Sequence, residues 1–159
     1  MTPIKTPFGG TLEFYPLPDT SSKGTVLICP GGGYNFLAER EGKPIADAFN
    51  QNGYSAAILN YCLDRDVHGI NPVKELAWAA RYLRTASEWN GLGHKLWVSG
   101  FSAGGHLAAA LGTIGSDETV PAGYRPNLSV LYYPVIDMVS RGYGFPEIKR
   151  DFEKISPIH

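Results

Sequence analysis

At 159 residues the chain is the size of one domain and long enough to bury a core, which leaves little room for a second complete domain. Its 14 Lys and Arg nearly cancel 15 Asp and Glu, and no basic run exceeds two neighbours, so the charge offers no footprint for nucleic acid or an anionic membrane. The Pro- and Gly-broken start from Met1 to Gly10 has no apolar core of the signal-peptide kind, no stretch approaches a membrane-spanning length, and Cys29 and Cys62 are too few for a disulfide framework; a soluble cytoplasmic protein with reduced thiols is expected.

Thr11 to Tyr15 alternates in the manner of a strand and stops at Pro16 and Pro18, which predicts a strand near a sheet edge. Thr25 to Cys29 is a continuous apolar run, the signature of a strand covered on both faces, and it ends in Pro30-Gly31-Gly32-Gly33-Tyr34. Lys43 to Asn52 has helical spacing, with Pro44 in the first turn and Gly53 at the stop, and Tyr54 to Leu59 is the next buried strand. Asn60 to Asn71 reads as a loop. From Pro72 the apolar set Val73, Leu76, Ala77, Ala80 and Leu83 follows the 3.6-residue period, predicting an amphipathic helix that runs to Trp89. Lys95 to Ser99 is a strand, Gly105 to Leu111 a helix, Gly115 to Asn127 a surface connection and Leu128 to Tyr133 a further strand. A short helix is expected over Glu147 to Lys154. Strands alternating with helices give an α/β fold with a mainly parallel sheet, whose functional crevice lies at the carboxyl ends of the strands.

Two glycine-rich loops fall at such ends. In Gly100-Phe101-Ser102-Ala103-Gly104 the strand turns sharply into a helix, which strains the central residue and requires small neighbours. The turn presents Ser102 Oγ at a helix N-terminus, where free N–H groups favour developing negative charge. Ser102 is therefore the candidate nucleophile; the alternative is a glycine-rich turn with an exposed serine. The Gly31 to Gly33 loop fits no phosphate cradle: a dinucleotide fingerprint would want glycine at Phe36, and Gly42-Lys43-Pro44 lacks the spacing and hydroxyl of a Walker loop. It suits an oxyanion hole, with Gly32, Gly33 and Ala103 N–H groups as donors. Neither cofactor nor metal is called for: no His or Cys spacing suggests a metal site.

Ile28 to Tyr34, Glu39-Arg40-Glu41, Gly53-Tyr54, Leu59-Asn60-Tyr61, Gly100 to Ala109 and Tyr132-Tyr133-Pro134-Val135 together resemble the α/β-hydrolase esterases, within them the acetyl-xylan-esterase-like and lipase/esterase branch. The resemblance covers nearly the whole chain. It implies that the strands ending at Cys29 and Ser99 are neighbours, with Pro30 replacing the His that opens the loop in many relatives. It further implies a serine carboxylesterase acting through a Ser102 acyl-enzyme on small acyl esters, acetyl above all, of sugars or xylan oligosaccharides, so that the partner is a small-molecule ester.

The same resemblance implies a lid beginning over 138–159, then further strands carrying the acid and the catalytic His. The residues as given are thus expected to be the N-terminal part of a single domain, to show little turnover, and to leave Leu128 to Tyr133 as an open edge that invites self-association. Asp137 is the candidate acid within the sequence, against a turn or cap role. His106, one turn after Ser102 on its helix, is expected to order nearby loops rather than act as base; His159 is terminal, and His68 and His94 lie in loops. Tyr34, Phe36 and Tyr61 are read either as lining the mouth or as core. A non-catalytic binding fragment and a peptidase or amidase of the same fold are the alternative functions.

Overall fold

The computed structural model describes residues 1–18, 21–63, 70–89, 95–113 and 124–137. In chain order the elements are β1 (Ile4–Lys5), β2 (Thr11–Tyr15), β3 (Thr25–Cys29), a 3₁₀ turn (Glu39–Glu41), α1 (Lys43–Gln51), β4 (Ser55–Asn60), α2 (Ile70–Thr85), a second 3₁₀ turn (Ser87–Trp89), β5 (Leu96–Phe101), α3 (Ala103–Thr113) and β6 (Leu128–Tyr132). They build one sheet in the order β1-β2-β4-β3-β5-β6. Pairing is antiparallel for β1 with β2 and β2 with β4, and parallel from β4 through β3 and β5 to β6. The mainly parallel sheet with flanking helices is the one expected.

Side-chain alternation divides the core into two layers. Leu27 and Cys29 of β3, Ala57 and Leu59 of β4, and Leu96 and Val98 of β5 share one cluster with Val73, Leu76, Ala80 and Leu83 of α2 and Leu107, Ala108 and Leu111 of α3. The intervening Val26, Ile28, Ala56, Ile58 and Phe101 pack with Ala46 of α1 on the opposite face. Every residue of β3 is buried, as its unbroken apolar run requires. Trp89 seals one end of the first layer, fully buried, with Nε1–H donating to Thr25 Oγ1 at 2.8 Å.

β2, the strand expected near a sheet edge, lies one place in from it, covered by the short β1, which was not expected from the sequence. The helix expected to run from Pro72 to Trp89 instead starts at Ile70, leaves the α form after Thr85 and tightens into the 3₁₀ turn that brings Trp89 onto Thr25. The expected Glu147 to Lys154 helix and the lid segment over 138–159 lie outside the described residues. Among the described residues no helix is long and apolar enough to cross a membrane.

Candidate active site

Parallel pairing sets Ile28 opposite Ser99 and Cys29 opposite Gly100, so β3 and β5 end side by side. Their glycine loops therefore emerge together, at the carboxyl edge where an α/β crevice forms. Ser102 stands between β5 and α3 at φ 51°, the strained conformation that a nucleophile turn imposes on its central residue. Three backbone bonds hold it: Ser102 N–H donates to Tyr132 O (3.0 Å), while Ser102 O accepts from His106 N–H (3.0 Å) and Val135 N–H (3.2 Å). The elbow is thus fastened both to its own helix and to the end of β6.

The helix can leave at that angle only because glycine stands on both sides of the turn. A Cβ on Gly100 would run into Gly104 O, and one on Gly104 would meet Cys29 O and lie 2.6 Å from Pro30 O. Those neighbours are backbone atoms and cannot swing aside. Gly104→Ala is accordingly expected to cost about 1–3 kcal/mol or more by overpacking, read as a lower denaturant midpoint with unchanged slope.

The other loop is laced by its own carbonyls. Gly31 O accepts from Ala38 N–H (2.9 Å), and Gly32 O accepts from Asn35 N–H (3.0 Å) and Phe36 N–H (3.3 Å). Gly32 at φ 135° turns the chain where any Cβ would strike Phe36 O. Among the described residues no hydrogen bond is donated by Gly32 N–H or Gly33 N–H, and Ala103 N–H, at the first position of α3, has no partner within the helix. Gly31 differs: its N–H donates to Glu41 Oε2 at 2.7 Å.

Gly32, Gly33, Ser102 and Ala103 line one cavity of about 350 Å³. Tyr34, Phe36, Glu41, Tyr133 and Val135 are among the other residues of its wall. Phe36 is 61% exposed at the rim. Tyr61, in contrast, is a core residue at 1% exposure and donates its hydroxyl to Pro30 O at 2.7 Å. The aromatic residues singled out in the sequence therefore divide between wall and core.

Asp137 is not among the residues lining the cavity, although Val135 is. His106 is fully buried, with Tyr34 Oη 2.8 Å from its Nδ1 and the two rings edge to face. Its ring ties the glycine loop to α3. His68, His94 and His159 lie outside the described residues. Burial pushes the Tyr34 hydroxyl well above the ordinary tyrosine range, with Tyr61 and Cys29 adding to the effect. The Tyr133 hydroxyl is raised first by its hydrogen bond to Glu41. Both phenols are protonated near neutral pH and act as hydrogen-bonding groups rather than bases. Cys29 and Cys62 are buried free thiols, and burial raises the Cys29 thiol as well. Among the described residues no His, Cys, Asp or Glu group is arranged to hold a metal ion.

Two carboxylates that bind backbone escaped the sequence reading. Glu41 stands in the Glu39-Arg40-Glu41 motif with no role assigned from the sequence, and Glu75 is not singled out there at all; both are buried, at 5% and 0% exposure. Glu75 shares its side of α2 with Pro72, three residues before it, and Ala79, four residues after it, and that apolar flank was the available signal.

The sequence model of the family described as BD-FAE matches residues 12–149. This chain belongs to the BD-FAE family. An acetylxylan esterase of Xylanibacter ruminicola is 36% identical over 127 residues, 79% of this chain and 25% of that protein. Among solved structures, the acetyl ester-xyloside bifunctional hydrolase from Caldicellulosiruptor lactoaceticus superposes at a TM-score of 0.77 with 28% identity, over 96% of this chain and 62% of that one. The α/β hydrolase MGS-M1 from a Medee basin deep-sea metagenome library gives 0.75 with 33% identity, over 92% and 62%. The BD-FAE chain thus spans a quarter of that curated relative and somewhat under two thirds of these solved chains. Its sheet is that of the α/β-hydrolase esterases, and the resemblance drawn from the motifs identifies the right family.

Proposed function

We propose that this chain carries the nucleophile and the oxyanion loop of a serine carboxylesterase that removes acetyl groups from xylan-type saccharides. The observation that carries the reading is the meeting of Ser102, Gly32, Gly33 and Ala103 on one cavity where β3 and β5 end. Ser102 Oγ attacks the ester carbonyl as a base takes its proton, and the carbonyl oxygen becomes an oxyanion. Gly32, Gly33 and Ala103 N–H groups receive that charge; one such donor typically contributes about 2.7–4 kcal/mol to the transition state. Collapse expels the sugar alcohol with the returned proton, leaving an acetyl-serine that water, deprotonated by the same base, hydrolyses to acetate.

Burial of the His106 ring against Tyr34 speaks against it as the base, and the family resemblance gives that role to a histidine outside the described residues. The acetyl-xylan assignment is supported by the names of the relatives and by Phe36, whose exposed ring at the rim offers the apolar face on which a sugar stacks. The reading is tested by treating the purified protein with a fluorophosphonate and mapping the adduct. Expected is phosphonylation of Ser102, absent in Ser102→Ala. A folded protein that takes up no label at Ser102, or takes it up elsewhere, would falsify the proposal.

A further inference from the structure

We propose that Glu41 is the positioning residue of the oxyanion loop, a clasp whose two carboxylate oxygens hold the Gly31 backbone and the Tyr133 side chain against the nucleophile turn. This rests on the reading of Ser102 and the Gly32–Gly33 donors given above.

Glu41 ends the 3₁₀ turn that follows the loop, and its own N–H donates to Ala38 O (2.9 Å) while Ala38 N–H donates to Gly31 O (2.9 Å). The chain from Gly31 to Glu41 therefore closes on itself, and the carboxylate completes the ring by accepting Gly31 N–H on Oε2 at 2.7 Å. Gly31 is pressed between that carboxylate and the elbow. A Cβ placed on it would lie 2.8 Å from Glu41 Oε2, 2.7 Å from Phe101 O and 3.1 Å from Ser102 Cβ. Gly32 follows directly, so the direction of its N–H is set by where Gly31 is held.

The second oxygen, Oε1, accepts the Tyr133 hydroxyl at 2.7 Å. Tyr133 is itself a strained residue at φ 38°, directly after the Tyr132 carbonyl that receives Ser102 N–H. One carboxylate thus joins the glycine loop, the end of β6 and, through both, the Ser102 turn. At 5% exposure, Glu41 has little water to satisfy it. The charged acceptor is compensated by its two donors and by Arg40 Nη2, 3.6 Å from Oε1 on a side chain that reaches into solvent. Hydrogen bonds to an ionised group are shorter and about twice as strong as neutral ones. That strength suits a clasp that must hold a glycine-rich loop still, because oxyanion donors act only if they are oriented before the charge develops.

Glu41→Ala, Glu41→Gln and Tyr133→Phe are to be compared with the wild-type protein in two readouts. The first is backbone amide exchange at Gly31 and Ala38. The second is the rate of fluorophosphonate attachment to Ser102, with kcat and KM for an activated acetyl ester. Glu41→Ala is expected to speed exchange at Gly31 by about 10- to 100-fold, the equivalent of one hydrogen bond to a charged group. It is also expected to lower both the labelling rate and kcat by about 10²–10³, the loss of one misdirected oxyanion donor, with KM nearly unchanged. Glu41→Gln, which keeps an acceptor for Gly31, recovers most of both losses, and Tyr133→Phe shows a smaller fall of the same kind. Unchanged exchange at Gly31 in Glu41→Ala overturns the proposal, as does a kcat loss that Gln leaves unrepaired or an effect confined to KM. Should the wild-type protein take no label at Ser102, the esterase reading falls, and the exchange measurement still decides whether Glu41 holds the loop.

Discussion

Replacing Ser102 by alanine is expected to reduce hydrolysis of an activated acetyl ester by the protein carrying this chain by a factor of order 10⁴–10⁶ in kcat, the range measured when a subtilisin triad member is removed. The fall follows from what Oγ alone supplies. Without it no acyl-enzyme forms, and what remains is binding plus oxyanion stabilisation, worth roughly 10³–10⁴ over water. KM is expected to move little, because Gly32, Gly33, Tyr34, Phe36 and Tyr133 shape the cavity and none is altered. Stability is also expected to hold. The turn is fastened by Ser102 backbone N–H and C=O rather than by its hydroxyl, and alanine carries the same Cβ as serine into the φ 51° conformation. Steady-state kinetics beside a thermal melt separates these outcomes: a variant that melts normally yet keeps a tenth or more of the activity excludes Ser102 as the nucleophile.

The largest expected effect on stability comes from Glu75→Ala, which should cost about 3–5 kcal/mol, a large part of the roughly 5–15 kcal/mol that holds a domain folded. Glu75 projects from α2 with no exposure to solvent. Its Oε1 accepts Gly10 N–H at 2.9 Å and the Thr6 hydroxyl, and its Oε2 accepts Cys62 N–H at 2.5 Å. One carboxylate thereby pins the β1–β2 turn and the exit of β4 to the helix that covers them. Alanine would remove three hydrogen bonds to one buried carboxylate, each worth about 1.5–3 kcal/mol, with Gly10 N–H keeping only its 3.0 Å bond to Thr6 Oγ1, and would open a void where the carboxylate lay. Gly10 leaves no slack there, since a Cβ on it would meet both Asn60 O and Glu75 Oε1. Urea unfolding is the measurement. A midpoint lowered at constant slope is expected, with Glu75→Gln losing less because it keeps an acceptor oxygen; a loss in Glu75→Ala below about 1 kcal/mol would show that the turn is held by other contacts.

Local patterning is enough to recognise most of the strands and helices, though not the two-residue β1, which only its pairing with β2 defines. The apolar run Thr25–Cys29 has the length and continuity of a doubly covered strand, and Val73, Leu76, Ala80 and Leu83 have the helical period. It likewise placed Ser102 at a strand-to-helix turn and the glycines at a strand's carboxyl end, since steric demands on a sharp turn leave few residue choices.

What meets what is a property of the folded chain. Of the pairings, the family resemblance anticipated only that β3 and β5 are neighbours. That β4 lies between β2 and β3, and that β3 borders β5 so the two glycine loops share a cavity, are facts of pairing between distant segments that periodicity does not encode. The same holds for Tyr61, whose neighbours in sequence do not tell core from cavity wall but whose hydroxyl packs onto Pro30 O. It holds most of all for Glu41 and Glu75. A charged residue in a sequence reads as solvated, because burying a carboxylate is unfavourable unless donors await it. Here the donors are backbone N–H groups of Gly31, Gly10 and Cys62 together with the hydroxyls of Tyr133 and Thr6, and only folding brings them to the carboxylates that they compensate.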